Sequence, residues 1–179
     1  MSGDADDPRS IAASALLQLR RRVDAHFDAA VLRTPDAFAC RVGCSACCHV
    51  RIGVTGIEAD RVRAALAALT RSDPALRARV RAQGHDPHRS ICALLVDDRC
   101  AIYEERPLIC RSHGLPVRAT LDDGSHADSV CPLNFTEHTP PRASVLALDA
   151  VNAPLSVMAQ MWDGSADRVE LAVLAGESP

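Results

Sequence analysis

The amino-acid sequence predicts a mainly α-helical protein with a loop-rich cysteine core and a short β-hairpin. Apolar residues make up 47% of the 179 residues but aromatic residues only 3%, so the core must be built mainly from Leu, Val, Ile and Ala. These aliphatic residues favour close-packed helices over a β-sandwich, in which aromatic and β-branched residues dominate. Apolar residues at helical spacing, and eight cysteines gathered in one stretch of the chain, complete the prediction.

The length of the chain predicts one domain over residues 10–175, with the cysteine core at residues 38–135. The acidic residues 1–9 are expected to form a disordered leader, and residues 176–179 a frayed tail. The N-terminal residues lack the apolar segment of a secretory signal. We therefore expect a cytoplasmic protein with reduced thiols rather than a secreted one with four disulfides.

The first predicted helix runs from about Ser10 to Val31. It contains the run Arg20–Arg22, which we interpret as a solvated face. The apolar residues that recur at helical spacing are Ile11, Ala15, Leu19, Val23 and Phe27.

Two further helices have capping signals. Thr55 and Glu58 form the capping-box pattern that begins a helix over Ile57–Leu69. Asp73-Pro74 places an N-cap before a proline at the first helical position, and Gly84 can end this helix.

Turn residues predict a hairpin and a last, broken helix. The pair Asp123-Gly124 after Leu115–Thr120 is typical of a β-hairpin. Pro140-Pro141 is expected to begin a last helical region, and Pro154 is expected to interrupt it because proline lacks a backbone donor.

Four cysteines stand within nine residues and form what we call the first cluster, Cys40, Cys44, Cys47 and Cys48. On a helix their sulfurs would fall within an arc of about 100°, and a tight turn around Gly43 would also bring them together. Cysteines that serve only as small apolar core residues are dispersed. The first cluster therefore predicts thiolates that converge on metal.

The other four cysteines are single and widely spaced, so their spacing alone does not predict a site. They are candidate metal ligands because the first cluster needs further ligands. They are Cys92, Cys100, Cys110 and Cys131. Four thiolates suit a zinc ion and equally an iron–sulfur cluster. Eight therefore suffice for two mononuclear sites, for one shared polynuclear site, or for one four-thiolate site with additional reactive thiols. The metal, zinc or iron, is left open.

Other classes of partner lack a signal. The net charge of -3 gives no electrostatic footprint for nucleic acid, and no apolar run is long enough to span a membrane. The sequence contains no glycine-rich nucleotide loop, nucleophile elbow or H-E-x-x-H motif. A metal ion is thus the partner that the sequence predicts, and no protein partner is specified.

The cysteines are embedded in longer motifs. These are Cys40-x3-Cys44-x2-Cys47-Cys48, Cys92-Ala-Leu-Leu and Cys100-Ala-Ile-Tyr-Glu-Glu-Arg-Pro-Leu-Ile-Cys110-Arg, closed by Cys131-Pro. Together they resemble the YkgJ-like cysteine-cluster family of bacterial zinc- or iron-chelating proteins, except that family members commonly show Cys-Pro where this chain has Cys92-Ala. The resemblance implies metal chelation by all eight cysteines and assigns no reaction. A similar cluster in flagellin lysine methylases keeps an enzyme in consideration.

The last long motif also offers residues that could surround the metal. Tyr103 can pack its ring on the site, and Arg106 and Arg111 can offset thiolate charge. Alternatively, the two arginines form surface ion pairs with Glu104–Glu105. His113 adjoins the cysteines and is predicted to support the site rather than to bind metal.

Three functions remain open at this level. The favoured one is a non-catalytic metal-binding protein with a structural or metal-handling role. The second is an enzyme, either a redox protein that uses Cys47-Cys48 or a methyltransferase-type enzyme that uses the cluster. The third is a metal- or redox-sensing interaction protein, whose arginine-rich first helix would contact the partner.

Overall fold

The secondary structure is mainly helical with short strands, as the composition predicts. The computed structural model describes residues 7–178. Its elements are α1 (Pro8–Arg33), β1 (Gly53–Thr55), α2 (Gly56–Ser72), α3 (Pro74–Gly84), β2 (Leu95–Val96), β3 (Arg99–Cys100), α4 (Leu108–Ser112), β4 (Val117–Thr120), β5 (His126–Ser129), β6 (Leu146–Ala147), α5 (Asp149–Asp163), β7 (Arg168–Glu170) and α6 (Leu171–Gly176). None of the helices in this described part has the length and apolar character needed to cross a membrane.

The chain divides into two compact units. The first unit comprises the residues up to Cys40 together with Leu108–Trp162, and the second comprises Arg41–Pro107 and the residues from Asp163 onward. Both units contain helices and short strands. The single domain over residues 10–175 stays a prediction.

Helix α1 confirms the first predicted helix and begins before it. Pro8 is its first residue, and the side chain of Asp7 accepts a hydrogen bond from Ser10 N at 3.3 Å. Proline suits the first helical position because an N–H there would have no partner within the helix. Residues 8 and 9 of the predicted leader are thus helical, and its residues 1–6 lie outside the described part of the chain.

The buried face of α1 differs from the predicted apolar stripe. Ile11 is 45% exposed, and Arg20, predicted to be solvated, is buried. Arg21 and Arg22 are exposed as expected. An arginine can be buried when its aliphatic stem packs along apolar side chains. The apolar residues that α1 buries are Ala12, Leu16, Leu19, Val23 and Ala30.

The predicted hairpin is present in the first unit. Strands β4 and β5 pair antiparallel, from Val117 opposite Ser129 to Thr120 opposite His126. Gly124 lies in the connecting turn with a φ of 79°, a left-handed conformation that glycine adopts without a Cβ clash. Strand β6 extends the sheet by pairing in parallel with β4, which the sequence did not predict.

Of the two predictions based on prolines near the end of the chain, the helical start after Pro140-Pro141 is met only by a short 3₁₀ helix, and the break at Pro154 is wrong. Residues Arg142–Ser144 form the 3₁₀ helix, but the α-helix begins only at Asp149. Pro154 lies inside α5 without interrupting it. The helix lacks one backbone donor at Pro154, but burial of its apolar face holds it together. That face comprises Val151, Leu155, Met158 and Ala159.

The two helices with capping signals are confirmed in the second unit. At the start of α2, Thr55 is the N-cap and its Oγ1 donates to Glu58 Oε2 at 3.3 Å, but its side chain makes no capping hydrogen bond to a backbone N–H of the helix. At the start of α3, Asp73 Oδ1 accepts from Leu76 N at 2.9 Å. Strand β1 pairs antiparallel with β7, and α6 follows directly. Neither β7 nor α6 has a predicted counterpart.

Arginines hold the end of the described chain, where a frayed tail over residues 176–179 was expected. The buried Arg77 donates to the carbonyl oxygens of Ala175 at 2.8 Å and Glu177 at 2.7 Å. Arg63 pairs with the carboxylate of Glu177 at 2.8 Å. The backbone and the side chain of Glu177 are therefore both bonded.

Gly84 is the last residue of α3, and α6 approaches it closely. A Cβ on Gly84 would lie 2.4 Å from Gly176 N and 2.7 Å from the carbonyl oxygen of Ala172. Real Cβ contacts are essentially never this short, so a side chain at this position would force the two helices apart.

We expect Gly84→Ala to lower the free energy of unfolding by about 1–3 kcal/mol, since overpacking costs this much. Helix propensity alone would predict the opposite sign. The control is Ala82→Gly at an exposed position of α3, which should cost about 1 kcal/mol through propensity. Urea unfolding followed by circular dichroism measures both variants. A Gly84→Ala protein more stable than the wild type would contradict the close approach.

Candidate metal centre

The eight cysteines are divided between the two units. The second unit contains Cys44, Cys47, Cys48, Cys92 and Cys100. The first unit contains Cys40, Cys110 and Cys131. All eight lie within residues 7–178, and none of them forms a disulfide.

A turn and a short 3₁₀ helix position the second-unit cysteines of the first cluster. Cys44 N donates to the carbonyl oxygen of Arg41 at 2.9 Å, and Gly43 in this turn has a φ of 90°. Residues Ala46–Cys48 then form the 3₁₀ helix. Of the two local structures that the sequence allowed, the turn at Gly43 is observed and a helix through the whole cluster is not.

A backbone hydrogen bond connects Cys92 to the first cluster. Cys92 N donates to the carbonyl oxygen of Cys48 at 2.8 Å. The carbonyl oxygen of Cys92 accepts from Leu95 N at 3.1 Å, and Leu95 is paired with Cys100 across β2 and β3. Three cysteines from separate parts of the sequence are thus connected through the backbone of the second unit.

The hairpin that carries Cys100 has a two-residue turn, Asp97-Asp98. Their φ values of 51° and 57° are both left-handed, as a type I′ turn requires. Asp97 accepts two hydrogen bonds from Arg79 at 2.7 and 2.8 Å, and Asp98 accepts one from Ser45 Oγ at 2.8 Å. This hairpin was not predicted from the sequence because its turn lacks the glycine that usually marks one.

The thiols of Cys47, Cys48, Cys92 and Cys100, which we call the thiol quartet, influence one another's ionisation. A hydrogen bond with Cys48 lowers the pKa of Cys47 to about 6. The same bond raises the pKa of Cys48, and burial and the charges of the other three thiols raise it further. Burial is the main cause of the raised pKa of Cys92 and of Cys100. Ionising the whole quartet therefore requires a compensating positive charge.

Two arginines supply part of that charge. Burial raises the pKa of Cys92, and Arg89 opposes this increase. Burial likewise raises the pKa of Cys100, and Arg106 opposes it. The guanidinium of Arg106 lies 3.7 Å from the ring centroid of Tyr103, whose side chain is largely exposed. Arg89 was not predicted as part of the site, and only its position three residues before Cys92 could have indicated it.

In the first unit, the sulfur of Cys40 is contacted by Asn134 and lies close to Gly114. Asn134 Nδ2 donates to Cys40 Sγ at 3.3 Å. A Cβ on Gly114, whose φ is 100°, would lie 2.8 Å from the same sulfur. Asn134 N also donates to the carbonyl oxygen of Cys131 at 2.9 Å. The sequence marks neither residue as part of a site, because Gly114 reads as a turn residue and Asn134 lies beyond the Cys131-Pro motif.

The remaining predicted residues of the first unit lie on α4 or just after it. Cys110 is the third residue of α4. Arg111 is buried and pairs with Asp24 of α1 at 2.7 Å. Burial lowers the pKa of His113, and His113 Nδ1 has no hydrogen-bond partner among residues 7–178. The roles predicted for Arg111 and His113 beside a metal stay predictions.

The donor atoms fit zinc or iron, although the side chains are not arranged as ligands. Within the described residues, no group of three or more His, Cys, Asp or Glu side chains is placed to hold a metal ion. The thiol quartet nevertheless provides the four sulfur donors that a structural zinc ion or an iron–sulfur cluster takes. For these cysteines to coordinate a metal, their side chains would have to rotate and their sulfur atoms would have to move closer together, as in sites that form when the metal binds.

A family model matches the part of the chain that contains the cysteines. Residues 39–132 match the CxxCxxCC family, which carries the description "Putative zinc- or iron-chelating domain". The match covers just over half of the chain and includes all eight cysteines. Among curated proteins and among solved structures, nothing matches the chain. The cysteine pattern and the extent of this match show that the chain belongs to the CxxCxxCC family.

Proposed function

We propose that this protein binds zinc or iron through the thiolates of its eight cysteines, and that the thiol quartet is the principal site of the second unit. The observation that carries the proposal is the hydrogen bond from Cys92 N to the carbonyl oxygen of Cys48 at 2.8 Å. It connects a consecutive pair of thiols to a cysteine from a distant part of the sequence. The β2–β3 pairing then adds Cys100.

The electrostatics of the thiol quartet support a cation as its partner. The hydrogen bond with Cys47 is the main cause of the raised pKa of Cys48, and burial is the main cause of the raised pKa of Cys92 and of Cys100, so these thiols hold their protons when no cation is present. A metal ion displaces such protons because its charge offsets the repulsion between thiolates. Arg89 and Arg106 offset a further part of the negative charge.

The proposed role is structural or metal-handling, without a reaction. Zinc takes closed tetrahedral sulfur sites, and iron–sulfur clusters take four thiolates. Both therefore suit a quartet of cysteines. Eight cysteines without a disulfide also fit a reducing compartment, so the proposal includes a cytoplasmic location.

Metal analysis of the full chain, purified anaerobically, is expected to find zinc or iron. A brown protein with visible charge-transfer absorption identifies iron–sulfur, and a colourless protein with bound zinc identifies zinc. Metal present at about 1,000 times its dissociation constant adds about 4 kcal/mol of stability, so a chelator should lower Tm. A protein that retains no metal and takes up neither zinc nor iron on reconstitution would refute the proposal.

Replacement of Cys47 by Ser should lower metal affinity at least about tenfold, because a hydroxyl is a poorer ligand than a thiolate for a thiophilic metal. The matched control is Ala46→Ser, an exposed change on the same 3₁₀ helix that removes no sulfur. Competition with a chromophoric chelator measures both affinities. Wild-type affinity in Cys47→Ser would remove Cys47 from the proposed site.

Alkylation separates metal binding from a redox function of Cys47 and Cys48. Metal-bound thiolates react slowly, so we expect the metal-loaded protein to be protected and a chelator to restore labelling. A redox enzyme needs an accessible thiolate while it is loaded. Rapid labelling of one cysteine in the metal-loaded protein would favour the redox enzyme, and mass spectrometry of the digested protein identifies that cysteine.

A further inference from the structure

We propose that Asn134 is a positioning residue that holds the sulfur of Cys40 for metal binding through an N–H···S hydrogen bond. This inference rests on the proposed function, in which Cys40 is one of the metal-binding thiolates. Asn134 is only 2% exposed, and its Nδ2 lies 3.3 Å from Cys40 Sγ. It lies outside residues 39–132, which match the family model, so the family pattern does not assign it a role.

The hydrogen bonds of Asn134 determine which side of its amide faces the sulfur. Its Oδ1 accepts from Ala39 N at 2.8 Å, and its Nδ2 donates to the carbonyl oxygen of Gly114 at 2.7 Å. Reversing the amide would place a donor against Ala39 N and an acceptor against the Gly114 carbonyl. The second N–H of Nδ2 is therefore available to Cys40 Sγ, and an amide N–H can only donate to it.

The backbone around this amide is held in place by the neighbouring residues. Phe135 N donates to the carbonyl oxygen of Ala37 at 2.8 Å, although Phe135 has a left-handed φ of 54°. Its ring packs edge-on against Phe38 at 5.0 Å between centroids, and Phe38 packs against Phe27 at 5.6 Å. All three phenylalanines of the chain thus pack beside the segment that leads to Cys40.

Gly114 leaves the space that the sulfur needs. A Cβ on Gly114 would lie 2.8 Å from Cys40 Sγ and 3.4 Å from Asn134 Nδ2. Gly114 also presents the carbonyl oxygen that orients the amide of Asn134. The same glycine therefore admits the sulfur and fixes its hydrogen-bond donor.

This arrangement has a chemical use because Cys40 is otherwise an exposed residue. Without a hydrogen-bond partner, the thiol of such a residue rotates among several side-chain conformations, and ordering one of them costs entropy when metal binds. A buried N–H donor selects one conformation beforehand, and its hydrogen bond becomes stronger when the sulfur is ionised by metal binding. Hydrogen bonds to metal ligands of this kind typically contribute 10- to 100-fold, in order of magnitude, to metal affinity.

A double-mutant cycle on the full chain tests the inference, with cobalt(II) as the probe and anaerobic titration as the assay. Asn134→Asp keeps the acceptor for Ala39 N but replaces the N–H donor with an oxygen. We expect this variant to bind cobalt(II) at least about tenfold more weakly and to show a shifted thiolate-to-cobalt charge-transfer band. In the Cys40→Ala background the same substitution should change neither quantity.

Asn152→Asp, at an exposed position of α5, controls for the added charge and should bind as the wild type does. If Asn134→Asp does not fold, Asn134→Ala removes the amide donor without adding charge and replaces it in the cycle.

An equal loss of affinity in both backgrounds would show a purely structural role for Asn134 and overturn the inference. Wild-type affinity in Cys40→Ala or in Asn134→Asp would overturn it as well. A wild-type protein that binds no cobalt(II), zinc or iron would instead overturn the proposed function and this inference together. These outcomes distinguish a failure of the inference about Asn134 from a failure of the proposed function.

Discussion

The hydrogen bond from Cys92 N to the carbonyl oxygen of Cys48, at 2.8 Å, is the contact on which the candidate metal centre of the second unit depends. One residue of this pair follows the turn at Gly43, and the other precedes the β2–β3 hairpin. This bond joins two backbone groups and therefore restricts the positions of both chain segments. Without it, the flexible cysteine side chains would not hold the two segments together. The Cys92 carbonyl then contacts Leu95, which places Cys100 opposite in the hairpin.

Bringing these thiols together has an electrostatic cost that the protein offsets only in part. Burial raises the pKa of Cys92 and of Cys100, and Arg89 and Arg106 oppose the two increases. Buried and half-buried thiols that repel one another when ionised are well suited to a cation, because its charge replaces the protons. The folded second unit thus gathers sulfur atoms before their coordination geometry is formed, and the metal would complete that geometry.

The sulfur of Cys40 in the first unit has different surroundings from those of the thiol quartet. Its sulfur lies beside a buried amide that has three hydrogen bonds and beside a glycine without room for a side chain. Here an amide N–H donor lies against a single thiol, whereas in the second unit the charges of Arg89 and Arg106 oppose the pKa increases of buried thiols. A single buried asparagine can present this donor because its amide nitrogen can only donate and its amide oxygen can only accept hydrogen bonds.

Local signals in the sequence predicted the elements that depend on neighbouring residues. Asp73-Pro74 begins a helix and Asp123-Gly124 makes a hairpin because capping and turn geometry involve only a few consecutive residues. The predicted break at Pro154 was wrong because tertiary burial of Leu155 and Met158 outweighs the lost backbone hydrogen bond. The Asp97-Asp98 turn was not predicted because it lacks glycine. Its contacts with Arg79 and Ser45 come from other parts of the chain.

The sequence by itself determined the family, the sulfur-rich donor set and the mainly helical class, since these follow from residue types and their spacing. Only the tertiary structure decided which cysteines lie together, that Arg111 pairs with Asp24, and that Asn134 and Gly114 surround Cys40. The reason is physical: each of these contacts joins residues far apart in the chain. Their approach is set by backbone bonds and by the packing of apolar side chains, which spacing along the sequence does not encode.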